Sequence, residues 1–394
     1  MATNLTTYDA ILKENYAPAI VEQLNSKTVL LKRLKRDSEA LFGKEFVVPV
    51  HAGFNEGVGA RGENGPLPDA GSQQYKVARY TPKYNWGQIA ITEVVIKTTL
   101  KDKGAFVRAL DSEIKGMATT MSMDINRQLF GDGTGLLAKC AVNSTATNTI
   151  ALDKSTKMSN LRVGMKVDIL VMANGTAVAT NRTITAIDKV NKKIKIDGAA
   201  ITTDTIHGVY RAGNYGKELN GLGNIINKTG AVGSLNPANP GEEFWAATVL
   251  DNGGTLRSIS ETLMQQAFDA PSENSDGEVT LIIGGYGVRR AYQTLLTSLK
   301  RYVNTMDLEG GFTALEYNGI PFTVDKDAPP NTIYFIDENH LTLYELAKPQ
   351  WMEEDGKIVK WDGGTGYKAV FEYFAELGTD LRAAHAVLKD ITEA

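Results

Sequence analysis

The sequence predicts a mixed α+β fold, and three observations carry this prediction. A long amphipathic helix is expected over residues 102–130. Two runs of strand-forming residues on either side of a glycine-rich loop precede this helix, and a module rich in Thr, Val and Ile follows it over residues 138–213. At 394 residues the chain is long enough for two or three domains with a sizeable core.

The helix of residues 102–130 is the element around which the chain is organised. Asp102 can cap its start, and the Gly-Asp-Gly run of residues 131–133 ends it. At about 1.5 Å per residue it would extend roughly 40 Å. The pattern fits a buried core helix as well as a spine that carries other elements. Apolar residues recur every three or four positions at Phe106, Leu110, Ile114, Met117, Met121, Ile125 and Leu129.

Composition limits the classes of protein to which this chain can belong. The hydrophobic content of 42% and the charged content of 22% are ordinary for a globular protein. No apolar run reaches the roughly 18 residues that a membrane-spanning helix needs. The single Cys140 excludes an intrachain disulfide framework and fits a reducing compartment. The net charge of −4 argues against a chain whose main function is to bind phosphate backbones.

The N-terminal residues 1–42 have helical spacing of apolar residues, interrupted at Pro18. A basic cluster lies within this segment. It fits a solvated helix face, a nucleic-acid contact, or an arm that lies on a neighbouring subunit. The cluster consists of Lys32, Arg33, Lys35 and Arg36.

Residues 44–50 and 75–97 are predicted to be strands because they are rich in β-branched and aromatic residues. The loop between them has six glycines and two prolines, which disfavour regular structure. These features predict a protruding hairpin. A two-stranded hairpin is marginal in water by itself and presents unpaired edges, so we expect it to lie on another surface, here another copy of the chain.

Residues 138–213 are predicted to form a small all-β module of five or six strands, a barrel or a sandwich. Turn signals at residues 174–175, 191–192 and 197–198 separate the strands. The module has eleven Lys and Arg against five Asp, hence a net charge of +6, which leaves −10 for the rest of the chain. This asymmetry could steer an acidic partner, or the lysines could simply keep the module soluble. The expected strands are residues 146–152, 165–171, 178–187, 192–197 and 206–211.

A Gly/Asn-rich connection over residues 214–243 leads to a predicted helix at 253–268, a strand at 278–283 and a helix at 288–302. The turn of residues 284–287, Gly-Gly-Tyr-Gly, has the outline of a phosphate cradle. It lacks the GxGxxG spacing and the P-loop lysine, so a tight turn is favoured.

The last ninety residues are predicted to be mostly strands, the longest at residues 367–377. Glu372 and Glu376 share one face of that strand. They could form a carboxylate pair of the glycosidase type, but two residues on a solvated strand face explain them more simply. The four histidines are far apart in sequence, and neither HExxH nor GxSxG occurs. We therefore expect no enzyme, no metal site and no cofactor.

The order of these features resembles the major capsid proteins of tailed bacteriophages with the HK97-type fold. The residues that carry the resemblance are the helical N-terminus, the glycine-tipped hairpin and the long helix that ends in LFGDGTG at 129–135. They continue with GLGNII at 221–226 and EYNGIPFTVDKDAPPNTIYFID at 316–337. Coverage is nearly complete apart from the module at 138–213.

The resemblance implies a domain organisation. Residues 1–42 would be an N-terminal arm and 43–88 an extended loop. Residues 89–137 and 338–394 would form a peripheral domain with the spine helix at 102–130. Residues 138–213 would be an inserted β-rich domain, and 214–337 the axial domain with its connection.

The resemblance also implies a function. The chain would self-assemble through hexamers and pentamers into an icosahedral virion shell around double-stranded DNA, after assembly in the host cytoplasm. The partners would be a scaffolding protein, a portal and in some cases a decoration protein. The scaffolding protein would be separate because the chain begins directly at the arm. The acidic main body would keep packaged DNA in loose contact only. No membrane is implied.

Charged residues on the loop, the hairpin and the module are the candidate assembly interface. The loop tip has no lysine, so the covalent cross-link that some members form is not expected. An encapsulin-like compartment shell protein is the alternative, and a sugar-binding or hydrolytic protein is a third class. The candidate interface residues are Arg61, Glu63, Arg79, Lys189, Lys192, Lys193 and Lys195.

Overall fold

The computed structural model describes most of the chain. The expected helices of residues 1–28 and the expected cap Asp102 lie outside the described residues. The side chains of Phe106 and Leu110 are likewise not described. The described ranges are 29–39, 41–92, 103–141, 144–298, 305–308, 312–352, 359–360 and 366–394.

Helices and strands alternate irregularly along the described chain. The helices are α1 (Val29–Arg33), α2 (Lys103–Leu129), α3 (Leu222–Ile225), α4 (Glu261–Asn274) and α5 (Tyr286–Ser298). The strands of the first half are β1 (Lys35–Asp37), β2 (Leu41–Phe42), β3 (Glu45–Gly53), β4 (Gln74–Tyr80), β5 (Lys83–Thr92), β6 (Leu136–Lys139), β7 (Ser144–Thr147), β8 (Thr149–Ala151), β9 (Lys166–Val171), β10 (Ala177–Asp188), β11 (Lys193–Ile196), β12 (Ile201–Thr203) and β13 (His207–Arg211). Those of the second half are β14 (Thr248–Leu250), β15 (Leu281–Gly284), β16 (Thr305–Leu308), β17 (Phe312–Tyr317), β18 (Ile320–Val324), β19 (Ile333–Ile336), β20 (Leu341–Trp351), β21 (Val359–Lys360), β22 (Gly366–Thr379) and β23 (Ala386–Leu388).

The predicted long helix is confirmed as α2, which we call the spine helix. It begins at Lys103 and ends at Leu129, and its 27 residues span about 40 Å. Its predicted apolar face is buried at Ile114, Met121, Ile125 and Leu129. These side chains belong to the largest core cluster together with the hairpin strands and the sheet below. The spine helix is therefore also a core helix.

A five-stranded sheet lies under the spine helix. Its order is β1, β20, β22, β21, and β5 also pairs with β22. The helix packs on β5 at Gly87, where an added Cβ would lie 2.7 Å from Sδ of Met117. A larger residue at this position would displace the side chain of Met117.

The predicted single strand over residues 75–97 is wrong. It is divided at Thr81 and Pro82 into β4, which pairs with β3, and β5, which pairs with β22 over ten residues. Proline cannot donate a ladder hydrogen bond, so the pairing changes partner there. The hairpin therefore ends at Tyr80, and the residues after it belong to the sheet beneath the spine helix.

The module of residues 138–213 is all-β, as its sequence predicts. Six strands form one sheet in the order β6, β13, β9, β10, β11, β8, and β7 and β12 pair separately. Its core is a cluster of its own, with Ile150, Val167, Ile184, Ile194 and Val209 among its buried members. The predicted turns are present, with positive φ at Gly175, Lys192 and Gly198.

The third unit is a seven-stranded sheet in the order β14, β23, β19, β15, β18, β17, β16. The helix predicted at 253–268 is wrong at its start. It begins at Glu261 because Oγ of Ser260 accepts from the amide of Leu263 and caps it, while Gly253 and Gly254 have positive φ. Strand β23 also lies in this sheet, although the resemblance assigned the whole C-terminal segment to the peripheral domain.

The glycine turn of residues 284–287 is a tight turn, as favoured from the sequence. Strand β15 ends at Gly284 and helix α5 begins at Tyr286. A carboxylate lies against this helix start: an added Cβ on Gly287 would lie 2.4 Å from Oε2 of Glu393. An acidic side chain at this point opposes phosphate binding.

Candidate assembly surfaces

The hairpin of β3 and β4 is fixed at its base. The hydroxyl of Tyr80 donates to the carbonyl of Thr379 at 2.6 Å and accepts from its amide at 3.1 Å. The ring of Tyr344 stacks between Phe46 and Tyr80, with centroid distances of 5.2 and 5.5 Å. Burial raises the pKa of Tyr80 well above its usual value, so the hydroxyl stays protonated and keeps donating. The base is thus a buried aromatic stack joined to β22.

The lower half of the hairpin also rests on the connection before β14. The amide of Arg79 donates to the carbonyl of Gly233 at 2.7 Å, and Lys76 pairs with Glu242 at 3.4 Å. The side chain of Arg79 lies 3.6 Å from Glu45 on the facing strand. Strand β2 adds a third strand to the pair. The prediction of a lone two-stranded hairpin is therefore wrong for this half.

The loop of residues 54–73 beyond the hairpin is almost wholly exposed. Phe54, Val58 and Leu67 are 76, 86 and 87% exposed. The side chain of Asn55 closes the loop by donating to Gly71 O and accepting from Gly57 N. These three apolar side chains are covered by nothing in the described part of the chain, so the loop is suited to another surface.

Of the two predicted interface residues on this loop, Arg61 makes local bonds and Glu63 is exposed. Arg61 donates through Nε to the carbonyl of Pro66 and through Nη1 to that of Ala60, both at 3.0 Å. Its guanidinium keeps donors to spare, since five N–H groups are available. Glu63 faces solvent. Both residues can contact a second molecule.

The four predicted lysines of the module do not form one group. Lys193 and Lys195 are exposed on β11, where they alternate with the buried Ile194 and Ile196. Lys189 is exposed at the preceding turn. Lys192 instead donates to the carbonyls of Lys154 and Thr156, so its ammonium is engaged inside the module. Including Lys192 in the assembly surface is therefore not supported by its position.

The basic cluster of residues 32–36 is not simply a solvated face. Arg33 pairs with Glu338 at 2.5 Å and Arg36 with Glu345 at 3.0 Å. Glu345 is buried and also accepts from the hydroxyl of Tyr373. Arg33 therefore joins the first helix to the segment just before β20, and Arg36 joins β1 to β20, its neighbour in the sheet.

A charged network ties the end of the spine helix to the base of the module. Arg127 pairs with Glu218 at 2.7 Å and with Asp124 at 3.2 Å, and Arg211 pairs with Asp124 at 3.0 Å. Burial opposes ionisation of Asp124, but the ion pairs with both arginines outweigh it and lower its pKa. The carboxylate is therefore charged at neutral pH and fixes the module's last strand against the spine helix.

A cleft of about 680 Å³ opens beside this network. Its walls are the first half of β5 with the two residues before it, one side of the spine helix from Met117 to Asp124, and residues 211–218. Asn85 of β5 faces the spine helix, where its side-chain oxygen accepts from Gln128 at 2.9 Å, whereas Tyr84 and Trp86, which alternate with it along the strand, pack on Phe374. Sequence patterns could not find this site because its three walls come from distant parts of the chain.

Glu372 and Glu376 do not lie on a solvated strand face, so that interpretation is wrong. Both are buried. Glu376 accepts from the amides of Asn220 and Leu377 at 2.6 and 3.1 Å, and Glu372 accepts from the side chain of Gln350 at 2.7 Å. Burial raises the pKa of Glu376 to about 8 although both amide bonds act in the opposite direction. The two carboxyl groups thus serve separate structural contacts.

Arg382 is a structural residue that sequence analysis did not single out. It is fully buried, and its guanidinium donates to five backbone carbonyls at 2.8 to 3.0 Å. A lone arginine near the C-terminus gives no sequence signal for this role. The acceptors are the carbonyls of Asn224, Ile225, Thr229, Gly230 and Trp245.

Within the described ranges, no group of three or more His, Cys, Asp or Glu side chains could hold a metal ion. Asp132 in the loop after the spine helix accepts from the amide and hydroxyl of Thr134, which closes that loop locally. No helix in the described part is both long and apolar enough to cross a membrane.

A family model described as SU10 major capsid protein matches residues 1–392. The chain belongs to the SU10 major capsid protein family. Among solved structures, the chain is similar to the cyanophage A-1(L) capsid asymmetric unit with a TM-score of 0.59, 14% identity and 93% coverage of both chains. No curated protein matches the sequence.

Two further structures match over most of this SU10-family protein with TM-scores below 0.5. They are the SrpI encapsulin complex from Synechococcus elongatus PCC 7942, at 0.47, 8% identity and 92 and 87% coverage, and Gordonia phage Cozz, at 0.46, 11% identity and 93 and 87% coverage. On the family match and the cyanophage capsid, the chain has the HK97-type capsid fold and is a shell-forming major capsid protein, located in the virion capsid as part of a multimeric shell.

Proposed function

We propose that this chain builds the icosahedral head shell of a tailed phage through hexamers and pentamers that enclose double-stranded DNA. The observation that carries the proposal is the exposed loop of residues 54–73 on a rigid hairpin base. Three large apolar side chains would be left in water by a solitary subunit, whereas a neighbour could cover them. Many such modest contacts, repeated around a shell, sum to a stable particle.

The proposed organisation follows the resemblance, with limits adjusted to the hydrogen bonding. The arm would be residues 1–42 and the extended loop 43–80. The peripheral domain would be the sheet beneath the spine helix, and the axial domain the seven-stranded sheet including β23. The module of residues 138–213 would lie on the outer surface.

The proposed interface uses residues that are accessible. Arg61 and Glu63 would bridge neighbouring subunits from the loop, and Arg79 from the outer side of the hairpin. Lys189, Lys193 and Lys195 would face an acidic neighbouring surface, since the module carries +6 against −10 for the remaining chain. Lys192 is left out because its ammonium is already bound.

The proposed partners are a scaffolding protein, a portal and a decoration protein, with assembly in the host cytoplasm. Packaged DNA would make only loose contact because the body of the chain is acidic. The role would be structural, without catalysis. An encapsulin-like compartment has less support, since the match to the SU10 family covers nearly the whole chain.

Expression of the chain alone and with its candidate scaffolding protein, followed by negative-stain microscopy, tests the proposal. We expect closed shells, and we expect particles purified from infected cells to contain DNA. A compact monomer in sedimentation under both conditions would contradict shell assembly. Shells that enclose an enzyme in place of nucleic acid would favour the encapsulin-like alternative.

A further inference from the structure

We propose that Asp325, Asp327 and Asn126 form a calcium site where the spine helix, the seven-stranded sheet and the module meet. Asn126 lies in the last turn of the spine helix, and the two aspartates follow β18 of the seven-stranded sheet. The module reaches the same place through Lys157, whose ammonium donates to the carbonyl of Ala328 at 2.5 Å. A cation bound here would join three parts of the chain that are distant in sequence.

Two carboxylates share one side-chain amide at this point. Nδ2 of Asn126 donates to Oδ1 of Asp325 at 3.0 Å and to Oδ2 of Asp327 at 2.7 Å. The backbone amide of Asp327 also donates to Oδ1 of Asp325, at 2.8 Å, which fixes the loop. Asp325 is 3% exposed and Asn126 is fully buried. Two carboxylates this close repel each other in a buried place, and a shared cation or a proton removes this repulsion.

Buried oxygen atoms without a donor accompany this pair. Oδ2 of Asp325, Oδ1 of Asn126 and Oγ1 of Thr323 are buried, and none has a hydrogen-bond partner within the described ranges. Thr323 lies two residues before Asp325, whose backbone amide still donates to the carbonyl of Gly284 on β15 at 3.1 Å. Both side chains therefore leave the strand on the same face. The unpartnered atoms are all oxygens, which are the ligands that calcium prefers.

The side chain of Asn126 can supply a ligand by rotation. Its amide oxygen and nitrogen are bonded to the same carbon, so a half-turn of the amide exchanges their positions. Oδ1 would then lie near the two carboxylate oxygens that Nδ2 now contacts. Two carboxylates, an amide oxygen and a hydroxyl are ligands typical of calcium, with backbone carbonyls or water completing the set. Amide and hydroxyl oxygens thus take the place of a third acidic or histidine ligand.

The charges around the pair favour a cation. Burial, together with the neighbouring charge of Asp327, raises the pKa of Asp325, so its ionised form lacks stabilisation. Burial lowers the pKa of Lys157, and its ammonium contacts a carbonyl in place of a carboxylate. Lys326 is 40% exposed and lies 4.0 Å from Asp327, and the carboxylate of Glu393 also acts on Lys157. Three carboxylates against two lysines leave the cluster negative, and Lys157 is the group with which a cation would compete.

Isothermal titration calorimetry of the full-length subunit, freed of metal with a chelator, tests the site with calcium chloride as the probe. At constant ionic strength we expect calcium to bind and to raise the melting temperature. Asp325→Asn should weaken calcium binding by roughly tenfold or more, because affinity follows the charge of the ligands. Asp276→Asn is the control and should bind calcium like the wild type, since Asp276 is exposed between α4 and β15.

Lys157→Met keeps the test decisive where Asp325→Asn does not fold. Removing the ammonium should strengthen calcium binding several-fold because a competing cation is gone, although one hydrogen bond to Ala328 is lost. Neither heat of binding nor thermal shift in the wild type would overturn the site, and water or a proton would then account for the unpartnered oxygens. Calcium binding that Asp325→Asn leaves unchanged, or that Lys157→Met does not strengthen, would overturn it as well, because the ion would then bind elsewhere.

Discussion

At the scale of single residues, Arg382 holds several backbone carbonyls in place, a role that no sequence pattern indicates. Five carbonyls, from the end of α3 and from the connection to β14, depend on one guanidinium. Replacing it with an apolar side chain would leave these acceptors buried, at about 1 to 3 kcal/mol for each that finds no water. The packed connection is joined at this point to the short segment between β22 and β23.

We therefore expect Arg382→Met to lower the free energy of unfolding by about 3 kcal/mol or more. Denaturant unfolding followed by tryptophan fluorescence measures this, since Trp245 is buried and its carbonyl is one of the acceptors. Lys348→Met is the matched control, because Lys348 is exposed, and its effect should stay within about 0.5 kcal/mol. Equal midpoints for the two variants would contradict this role of Arg382.

Glu376 gives the subunit a pH dependence. The folded state raises its pKa from 4.5 to about 8, so folding favours the protonated carboxyl. The stability from this group is fully present below about pH 4.5 and is lost as the pH rises through about 8, with a limiting slope of about 1.4 kcal/mol per pH unit.

We expect Glu376→Gln, which mimics the neutral form, to be more stable than the wild type at pH 8 and nearly equal to it at pH 5. Urea unfolding at a series of pH values between 5 and 9 measures the difference. If both proteins lose stability in parallel across this range, the carboxyl is not the titrating group.

At the scale of elements, the sequence predicts periodic helices and strands well. It does not predict where a strand changes its pairing partner. The spine helix follows from apolar spacing alone, and the module from strand-forming residues and turn signals. Residues 75–97 were predicted as one strand, because the exchange of partner from β3 to β22 depends on a strand almost 300 residues away. Ser260 is a typical capping residue, but the start of α4 also depends on the turn at Gly253 and Gly254, which the prediction placed inside the helix.

The candidate site shows the same division. Exposure of the loop follows from glycine and proline content, whereas the cleft exists only once β5, the spine helix and residues 211–218 are folded together. The burial of Glu372 and Glu376 was missed because alternation along a strand does not tell which faces are covered. Lys192 was grouped with its neighbours by charge, although its positive φ turns it toward the carbonyls of Lys154 and Thr156.

The hairpin base should behave as part of the core. Tyr80→Phe removes a hydroxyl that bonds both the amide and the carbonyl of Thr379, at an expected cost of about 1 to 3 kcal/mol. Hydrogen exchange monitored by mass spectrometry should quicken in β3 and β4, while the second half of the spine helix stays protected. Unchanged hydrogen-exchange protection of the hairpin would contradict the anchoring role of Tyr80.

Substitutions at the lysines of the module should affect assembly and folding separately. The double variant Lys193→Glu, Lys195→Glu should keep the melting temperature of the subunit and weaken the shell, because both side chains are exposed. Lys192→Glu should lower the melting temperature instead, because it removes two hydrogen bonds to the loop carbonyls of Lys154 and Thr156. Calorimetry of subunits and sedimentation of shells measure the two effects. If shells of the double variant are as stable as those of the wild type, the proposed role of this face in assembly is contradicted.

At the scale of the whole molecule, the described chain carries one exposed appendage. Its three largest sheets, the spine helix and the buried ion pairs make their contacts within one chain. The loop of residues 54–73 is the exception, since its apolar side chains and carboxylates lack partners in the described chain. The central claim is that other subunits supply these partners.

Replacing residues 54–73 with the two-residue turn Asn-Gly tests this claim most directly. Gly53 and Gln74 already pair across the hairpin, so such a turn can close it. Unfolding midpoints and negative-stain microscopy are then compared with the wild type under assembly conditions. We expect a subunit that is as stable as the wild type but forms no shells. Shells formed in normal yield by the shortened chain would contradict it.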